Sequence, residues 1–250
     1  MKKNTCWSEK KRKLATLTFV AILGWHSAST ALPKPSFEMA QAFNPPRRGA
    51  PPRTSDAGTR GCSVSEGNNQ PLTALVPLKD LALTLESHPT LFWYVPHAEG
   101  KMLKFTLMDK NDTTIIYEKV LRAPSESGIV SIRLSKEEAE GLKHNELYHW
   151  YLSLVCDPQD RTGDIIVDGW IERIEASDPL KAHIQQASPE ALPKIYAESG
   201  IWHDALSAMA QLYDRHPQDG AIANQWETLL RSVQLDAFAQ SQLLSSSESE

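Results

Sequence analysis

Residues 142–174 read LKHNELYHWYLSLVCDPQDRTGDIIVDGWIERI, and this stretch decides the fold. From Tyr148 to Cys156, every second residue is apolar or aromatic, and the alternate positions His149, Tyr151 and Ser153 are more polar. Side chains two residues apart lie on one face of an extended strand, so the pattern predicts a central strand with one core face and one wetter face. A run of turn-forming residues follows, and then a second apolar segment over residues 165–174. Together they predict an antiparallel hairpin with a long polar loop.

Seven or eight short strands are predicted in all, with no helix between them. One of them lies between two prolines in P-T-L-F-W-Y-V-P, residues 89–96, and another is G-I-V-S-I-R-L, residues 128–134. Such spacing is typical of an antiparallel β-sandwich. Tyr148, at the start of the penultimate strand, resembles the tyrosine corner of immunoglobulin and fibronectin domains, whose hydroxyl bonds to upstream backbone. We therefore expect an α+β protein with an immunoglobulin- or fibronectin-like sandwich over residues 70–176.

The last part of the chain changes to a helical period of about 3.6 residues. An Asp-Pro pair at Asp178 begins the first helix, Gly200 caps another, and Pro217 ends a third. We expect a small helical domain over residues 177–240, followed by a disordered tail over residues 241–250.

The helical region resembles a single tetratricopeptide-like helical hairpin. The matching positions are Leu192, Tyr196, Gly200, Trp202, Ala205, Met209 and Pro217. The pattern departs from that family at Pro193, where glycine is preferred, and at Met209, where an aromatic is preferred. One repeat cannot bury its own apolar face. The hairpin should therefore pack on the sandwich or dock another protein, and in the second case Trp202 and Trp226 are the candidate partner-surface residues.

The first 31 residues predict a secretory signal peptide. They contain a basic start, a short apolar core from Leu14 to Trp25, and small residues at Ser29 and Ala31. The alternative is an uncleaved membrane anchor, but crossing a bilayer takes about 20 apolar residues and this core is shorter. We expect cleavage after Ala31 and a periplasmic or secreted protein, with no transmembrane segment in the mature chain.

The mature chain retains two cysteines, Cys62 and Cys156. Cys62 lies in a Pro-, Gly- and Arg-rich stretch over residues 32–69, which cannot bury enough apolar surface to fold and is predicted to be a disordered linker. In an exported chain an even pair most simply forms a disulfide, and the alternative is two separately buried thiols. The bridge would close a loop of roughly 90 residues and contribute about 4 kcal/mol by the chain-entropy model.

The net charge and the absence of known catalytic motifs narrow the range of possible functions. The leader holds six Lys or Arg and one Glu, so its removal changes the formal net charge from −5 to −10. This acidity argues against nucleic acid, whose phosphates are bound by Lys and Arg. The signatures G-x-S-x-G, H-E-x-x-H and C-x-x-C are absent from the sequence, as is a phosphate-binding loop. We expect no cofactor and no metal site.

The loop after the central strand supplies the candidate ligand-binding residues Asp157, Asp160, Arg161 and Asp164. Loops at the tip of a sandwich commonly bind ligands, and carboxylates suit Ca²⁺ or another polar ligand. Their spacing is not the D-x-D-x-D-G of a calcium loop. The alternative is that these residues shape the turn and that Arg161 pairs locally.

Several longer motifs carry a resemblance to a known family. They are P-L-T-A-L-V-P, L-F-W-Y-V-P, G-I-V-S-I-R-L, Y-H-W-Y-L-S-L-V-C-D-P-Q-D-R, D-G-W-I-E-R and G-I-W-H-D-A-L. Over about residues 58–238 the chain resembles the uncharacterised, mainly cyanobacterial domain-of-unknown-function family 928. The resemblance implies an exported protein and supplies no catalytic residues.

The sequence predicts an exported binding or scaffolding component of the cell envelope with a protein partner in the envelope or periplasm. Two alternatives stay open: a hydrolase that acts on envelope polymer through loop carboxylates, and a purely structural subunit. The hydrolase would need two acidic residues that converge in a cleft.

The disulfide is directly testable. In the exported, unreduced protein, proteolysis should release the Cys62 and Cys156 peptides joined, and reduction should separate them and lower the melting temperature. Recovery of both peptides with free thiols, by mass spectrometry after alkylation, would contradict the pairing.

Overall fold

The computed structural model describes residues 42–46 and 70–244, and in this part of the chain it shows an α+β protein with nine strands and four α-helices. The strands are β1 (Thr73–Ala74), β2 (Ala82–Thr84), β3 (Thr90–Val95), β4 (Met102–Asp109), β5 (Ile115–Arg122), β6 (Gly128–Arg133), β7 (Leu147–Val155), β8 (Ile165–Arg173) and β9 (Leu243–Leu244). The helices are α1 (Asp178–Gln186), α2 (Leu192–Glu198), α3 (Trp202–Arg215) and α4 (Gly220–Arg231). The predicted α+β class is confirmed, and β1 to β8 correspond to the strands expected upstream of the helices.

The predicted central hairpin is present as β7 and β8. The two strands pair antiparallel, from Leu147 opposite Glu172 to Leu154 opposite Ile165. On its other side β7 pairs with β4, which gives a five-stranded sheet in the order β2-β8-β7-β4-β5. The alternation of the central strand places Trp150 in the core with no exposed surface.

The second sheet has the order β1-β3-β6-β9 and is covered on both faces. Leu91, Trp93 and Val95 of β3 pack in the core shared with the five-stranded sheet, whereas Phe92 and Tyr94 pack in the core shared with the helices. A strand buried on both faces has no polar alternation, which explains the continuous apolar run in this segment. The four-stranded sheet is thus the middle of three layers.

Aromatic contacts join the two sheets. The Trp93 ring meets the rings of Phe105 and Trp150 edge-on, with centroids 5.3 and 5.5 Å apart. Gly169 of β8 makes this packing possible, because a Cβ there would lie 2.2 Å from the Trp150 ring. Any larger residue at this position would displace the tryptophan from the core.

The sheets are not purely antiparallel, which corrects the prediction. β2 pairs parallel with β8, and β9 pairs parallel with β6. Both edge strands are far in sequence from their neighbours, so no hairpin fixes their direction. The second pairing needs Gly128, where a Cβ would lie 2.7 Å from the Gln242 carbonyl oxygen.

β9 lies in the segment that was expected to be a disordered tail. Its residues Leu243 and Leu244 are only two in number, which is too few for local periodicity to reveal a strand. Residues 245–250 lie outside the described part of the chain, as does the predicted signal peptide.

The helix boundaries follow the expected signals. Pro193 lies in the first turn of α2, so the proline delays that helix rather than kinking it. Gly200 adopts a left-handed conformation, with φ of 74°, immediately after α2. Asp219 caps α4 by accepting a hydrogen bond from the Ala221 N–H at 2.8 Å. None of the described helices has the length and apolar character needed to cross a membrane.

The tyrosine-corner bond expected at Tyr148 is present. The Tyr148 hydroxyl accepts the Lys143 N–H at 3.0 Å and donates to Glu146 Oε2 at 3.1 Å. Burial raises the pKa of this phenol above its usual value. The immunoglobulin-like arrangement as a whole is not confirmed, because this local device does not determine the strand order.

A short upstream segment, residues 42–46, packs on the helical layer, although it was placed in the disordered linker. Phe43 is 7% exposed and meets the Trp202 ring edge-on at 5.1 Å. The Phe43 N–H donates to Ser232 Oγ at 3.1 Å, and the Asn44 N–H donates to the Ala197 carbonyl oxygen at 3.1 Å. One aromatic anchor and two backbone bonds therefore fix this segment, which we call the Phe43 strap.

Replacement of the anchor tests how much the strap stabilises the fold. Phe43→Ala should lower the free energy of unfolding by about 3 kcal/mol, because it leaves a cavity beside Trp202. Asn44→Ala is the matched control, since it keeps the backbone bond and should cost less than about 1 kcal/mol. Urea denaturation measures both, and equal small losses would show that the strap is only loosely attached.

Candidate functional site

The predicted ligand loop lies between β7 and β8, and its acidic groups are used within the loop. Asp160 accepts hydrogen bonds from the Thr162 N–H at 3.0 Å and from its hydroxyl at 2.6 Å, and it caps a short 3₁₀ turn over Arg161–Gly163. These bonds, led by the hydroxyl, lower the pKa of Asp160. Asp157 accepts the Gln159 N–H at 2.8 Å. Both carboxylates therefore shape the turn.

The remaining two loop candidates are paired with each other. Arg161 Nε donates to Asp164 Oδ2 at 2.5 Å, and the Cys156 N–H donates to Asp164 Oδ1 at 3.1 Å. Among the described residues, no group of three His, Cys, Asp or Glu side chains is arranged to hold a metal ion. The structure supports the local-pairing alternative for this loop.

Trp202 and Trp226 are core residues, which corrects their assignment as partner-surface candidates. They are 0% and 1% exposed. Trp202 Nε1 donates to the Leu75 carbonyl oxygen at 2.7 Å, and Trp226 Nε1 donates to the Ala239 carbonyl oxygen at 3.1 Å. The apolar stripe of the helices is thus covered by the chain itself. The helical hairpin packs on the four-stranded sheet, which is the first of the two expected alternatives.

The predicted disulfide stays a prediction. Cys156 lies directly after β7 and is half-buried, whereas Cys62 lies outside the described residues.

A polar network that the sequence did not predict lies on the outer face of the five-stranded sheet. His149 is held between two carboxylates, with Nδ1 2.9 Å from Asp112 Oδ1 and Nε2 2.8 Å from Asp168 Oδ2, and its ring stacks on Trp170 at 4.0 Å. Tyr151 lies 2.8 Å from Nδ1, and burial raises the pKa of its phenol to about 12. Because both ring nitrogens are engaged, neither is available as a base for a substrate. The network fastens the β4–β5 turn to the sheet.

A depression of about 690 Å³ lies at one end of the five-stranded sheet. Part of its polar lining is engaged internally, since Asp109 accepts the N–H groups of Thr113 and Thr114, both at 2.7 Å. Glu146 accepts the Tyr148 hydroxyl at 3.1 Å. These contacts hold the β4–β5 turn and the tyrosine corner.

The outer edge of β6 is different, because its backbone is only partly paired. β9 pairs with Ile129 and Val130 alone, and the Ile129 N–H donates to the Gln242 carbonyl oxygen at 2.8 Å. Backbone groups alternate in direction along a strand, so the N–H and C=O groups of Ser131 and Arg133 point to the same edge as those of Ile129. In the described part of the chain no strand faces Arg133 at this edge. The register of Val130 opposite Leu244 engages the Ser131 N–H, so among the described residues the outward groups left without a strand partner are the Ser131 C=O and those of Arg133. We call this short stretch, Ser131 to Arg133, the free edge.

Two depressions flank this free edge. The helix-side depression, of about 400 Å³, lies between β6 and α3 and is lined by residues that include Phe92, Ser131, Arg133, Ala210, Gln211, Asp214 and Leu244. The sandwich-side depression, of about 470 Å³, lies between β6 and β5 and is lined by Lys119, Leu121, Ile132, Arg133, Leu134, Ser135, Lys136 and Glu137. An added strand projects alternate side chains to opposite faces. One depression would therefore receive every second side chain and the other the rest.

The candidate site is this free edge with its two depressions. The sequence identified β6 as a strand through its G-I-V-S-I-R-L pattern. It did not reveal that β9 is the neighbour of β6, because the two segments are far apart in sequence. No single-residue signal identifies Arg133 or Asp214 as site residues.

Comparison with known families gives one match. The model of the family described as Domain of Unknown Function (DUF928) matches residues 55–243. No curated protein matches the chain. The matched range covers β1 to β8 and the four described helices, ends within β9, and begins after the Phe43 strap. It confirms the resemblance inferred from the motifs, whereas the mainly cyanobacterial distribution and the tetratricopeptide likeness stay predictions.

The first turn of α3 buries two titratable groups. Burial raises the pKa of Asp204 to about 7, although its Oδ2 accepts the Leu85 N–H at 3.2 Å. Burial lowers the pKa of His203 to about 3, and neither ring nitrogen has a hydrogen-bond partner among the described residues. The neutral forms of both groups are therefore favoured in the folded protein.

The two groups have opposite effects on stability as the pH changes. A folded-state pKa raised to about 7 means that Asp204 costs stability as the pH rises from roughly 4 through 7. The lowered pKa of His203 costs stability as the pH falls from roughly 6.5 towards 3. Asp204→Asn removes the first effect alone and keeps an oxygen that can accept the Leu85 N–H.

Asp204→Asn should therefore be more stable than the wild type at pH 8 by as much as about 4 kcal/mol, and close to the wild type at pH 4. Urea denaturation of both proteins at the two pH values measures the difference, and the His203 contribution cancels in each comparison. A stability difference that is the same at both pH values would contradict the ionisation of a buried Asp204.

Proposed function

The chain belongs to the family described as Domain of Unknown Function (DUF928), and we propose that it is an exported, non-catalytic binding or scaffolding component of the cell envelope that takes up an extended segment of a partner protein. The segment would add as a strand beside β6. Main-chain hydrogen bonds then supply affinity and the flanking depressions supply specificity, as in other cases of strand addition.

The observation that carries this proposal is the free edge of β6. Within the described residues, the N–H and C=O groups of Arg133 point outwards without a strand partner, and depressions of about 400 and 470 Å³ lie on either side. β9 supports the proposal, since it already uses the adjoining part of this edge for parallel pairing. Unpaired edges invite pairing with another chain unless they are blocked by proline or covered, and this segment has no proline.

The export and envelope parts of the proposal rest on the leader sequence. The basic start, apolar core and Ala31 cleavage signal direct a protein out of the cytoplasm. An acidic chain that lacks nucleic-acid motifs is also better suited to protein partners than to nucleic acid.

The hydrolase alternative has less support. It requires two carboxylates that converge on a substrate, but Asp160 and Asp164 are bonded within their own loop. The carboxylates around His149 are separated by the imidazole that they hold. The cross-linking experiment below distinguishes a purely structural role from partner binding.

Proline at an outward-pointing position of β6 tests strand addition. Arg133→Pro removes the N–H that points to the free edge. The pairing of β6 with β3 remains, because it uses the backbone groups of the alternate residues, such as Leu134. Arg133→Ala removes the same side chain and keeps the N–H, so it is the matched control. Each form is exported by its own leader, cross-linked in the envelope and recovered.

The proposal expects one partner to be cross-linked to the wild type and to Arg133→Ala, and to be lost with Arg133→Pro. Circular dichroism establishes that all three proteins are folded. A partner held equally by all three would exclude the edge as its site. The absence of any partner in the wild type would favour the purely structural alternative.

A further inference from the structure

We propose that His149 is a pH-dependent switch for the β4–β5 turn, residues 110–114. The protonated ring holds the tip of this turn on the outer face of the five-stranded sheet, and the neutral ring releases it. Asp112 is the residue of the turn that is held or released. This conformational change is separate from strand addition at β6.

The two carboxylates that contact the ring differ in their access to water. Asp168 Oδ2 lies 2.8 Å from Nε2, and this side chain is only 3% exposed. Asp112 Oδ1 lies 2.9 Å from Nδ1, and this side chain is 41% exposed. Water therefore replaces the ring as a donor more readily at Asp112 than at Asp168. When the ring keeps a single proton, that proton stays on Nε2, and Nδ1 is left without one.

The protonated ring can hold both carboxylates. An imidazolium carries a proton on each nitrogen, whereas a neutral imidazole carries only one. Only the charged ring of His149 can therefore donate to Asp112 from Nδ1 while it donates to Asp168 from Nε2. Hydrogen bonds between two charged groups are also stronger than those between neutral groups.

The Tyr151 hydroxyl supplies a second donor beside Asp112. Burial, followed by the charge of Asp112 and a hydrogen bond to it, raises the pKa of Tyr151 to about 12. The phenol therefore keeps its proton over the range in which histidine titrates. The same hydroxyl lies 2.8 Å from His149 Nδ1, so its proton can be directed either to Asp112 or to this nitrogen.

Loss of the Nδ1 proton removes both donors from Asp112. The lone pair of Nδ1 then faces the two Asp112 oxygens, at 2.9 and 3.1 Å, and this contact is repulsive. The Tyr151 hydroxyl satisfies the nitrogen when it turns its proton from Asp112 to Nδ1. A single deprotonation of His149 thus ends two hydrogen bonds to the turn, and the exposed carboxylate is hydrated instead.

The remaining neighbours of the ring do not take part in this exchange. Met108 of β4 lies opposite His149 in the sheet and is uncharged, and Trp170 of β8 stacks on the ring at 4.0 Å. Glu172 is the next carboxylate along this face of β8, beyond Trp170. Histidine ordinarily changes its charge between about pH 5 and 8. The turn is therefore held at the lower pH and released at the higher one.

The turn is held at two separate places. At its base, the N–H groups of Thr113 and Thr114 donate to Asp109. At its tip, Asp112 has φ of 55°, a left-handed conformation that costs free energy for a residue other than glycine unless its surroundings hold it. Lys110 and Thr114 also line the depression of about 690 Å³, so release of the turn changes one wall of that depression.

Nuclear magnetic resonance of the exported, purified chain tests the switch at about pH 5 and about pH 8. Nitrogen-15 shifts of the His149 ring should show both nitrogens protonated at the lower pH and Nε2 alone at the higher one. Carbon-13 relaxation of the Asn111 and Asp112 Cα–H groups measures the motion of the tip. Their order parameters should fall from about 0.85 to below about 0.6 as Nδ1 loses its proton.

Asp112→Asn should abolish the pH dependence of the tip. Asparagine tolerates the left-handed conformation as aspartate does, and its amide can accept from a protonated Nδ1 or donate to an unprotonated one. The order parameter should therefore stay near about 0.85 at both pH values. Asp157→Asn is the matched control and should behave as the wild type, because it makes the same change in another turn, where the carboxylate accepts the Gln159 N–H at 2.8 Å.

Three results would overturn the proposal. In the first, the tip of the wild type stays ordered after Nδ1 has lost its proton. In the second, both ring nitrogens stay protonated at the two pH values, which would make the network a permanent clamp. In the third, the pH dependence persists in Asp112→Asn, which would assign the motion to another group. The order parameter of Leu152 in β7 should not change with pH, and an equal loss of order there would mean unfolding of the chain instead of release of the turn.

Discussion

The structure depends on a strand that is buried on both faces. Burial of the five residues Leu91 to Val95 places two cores back to back, one towards the five-stranded sheet and one towards the helices. Each large apolar side chain contributes about 1.5–3 kcal/mol when buried. Part of this gain offsets a polar cost, since Trp93 Nε1 and the Tyr94 hydroxyl are buried without a hydrogen-bond partner in the described part of the chain. For the side chains of Trp93 and Tyr94, close packing therefore outweighs the loss of a hydrogen bond.

Covering both faces of the middle sheet limits where this sheet can meet another molecule. The helices cannot offer their apolar stripe to a partner, because Trp202 and Trp226 are already inside the core. The edge of β6 remains, and within the part of the chain that the structure describes β9 pairs with Ile129 and Val130. The same packing that stabilises the fold therefore leaves the end of β6 as the place where the proposed strand addition would occur.

Local sequence patterns predicted the helices and strands better than they predicted which of these elements pair or pack together. Alternation from Tyr148 onwards and the polar loop after Cys156 identified the central hairpin, and Gly200 and Pro217 identified helix ends, because these signals lie within a few residues of the feature that they report. Other contacts join segments that are far apart in sequence. These are the parallel pairings of β2 with β8 and of β9 with β6, the packing of the Phe43 strap, and the polar network around His149. Periodicity carries no information about such pairings. It correctly showed that the helices have an apolar face, but not that the four-stranded sheet covers it.

The proposed strand addition requires that the Arg133 N–H at the end of β6 is unpaired in the unbound protein. Amide hydrogen exchange, followed by nuclear magnetic resonance, compares neighbouring residues in one strand. The Ile132 and Leu134 N–H groups point towards β3, where Leu134 donates to the Pro89 carbonyl oxygen at 3.1 Å, and they should be protected. The Arg133 N–H points outwards and should exchange on the order of 100-fold faster. Protection of Arg133 equal to that of Ile132 would mean that the edge is already covered, and would contradict the account.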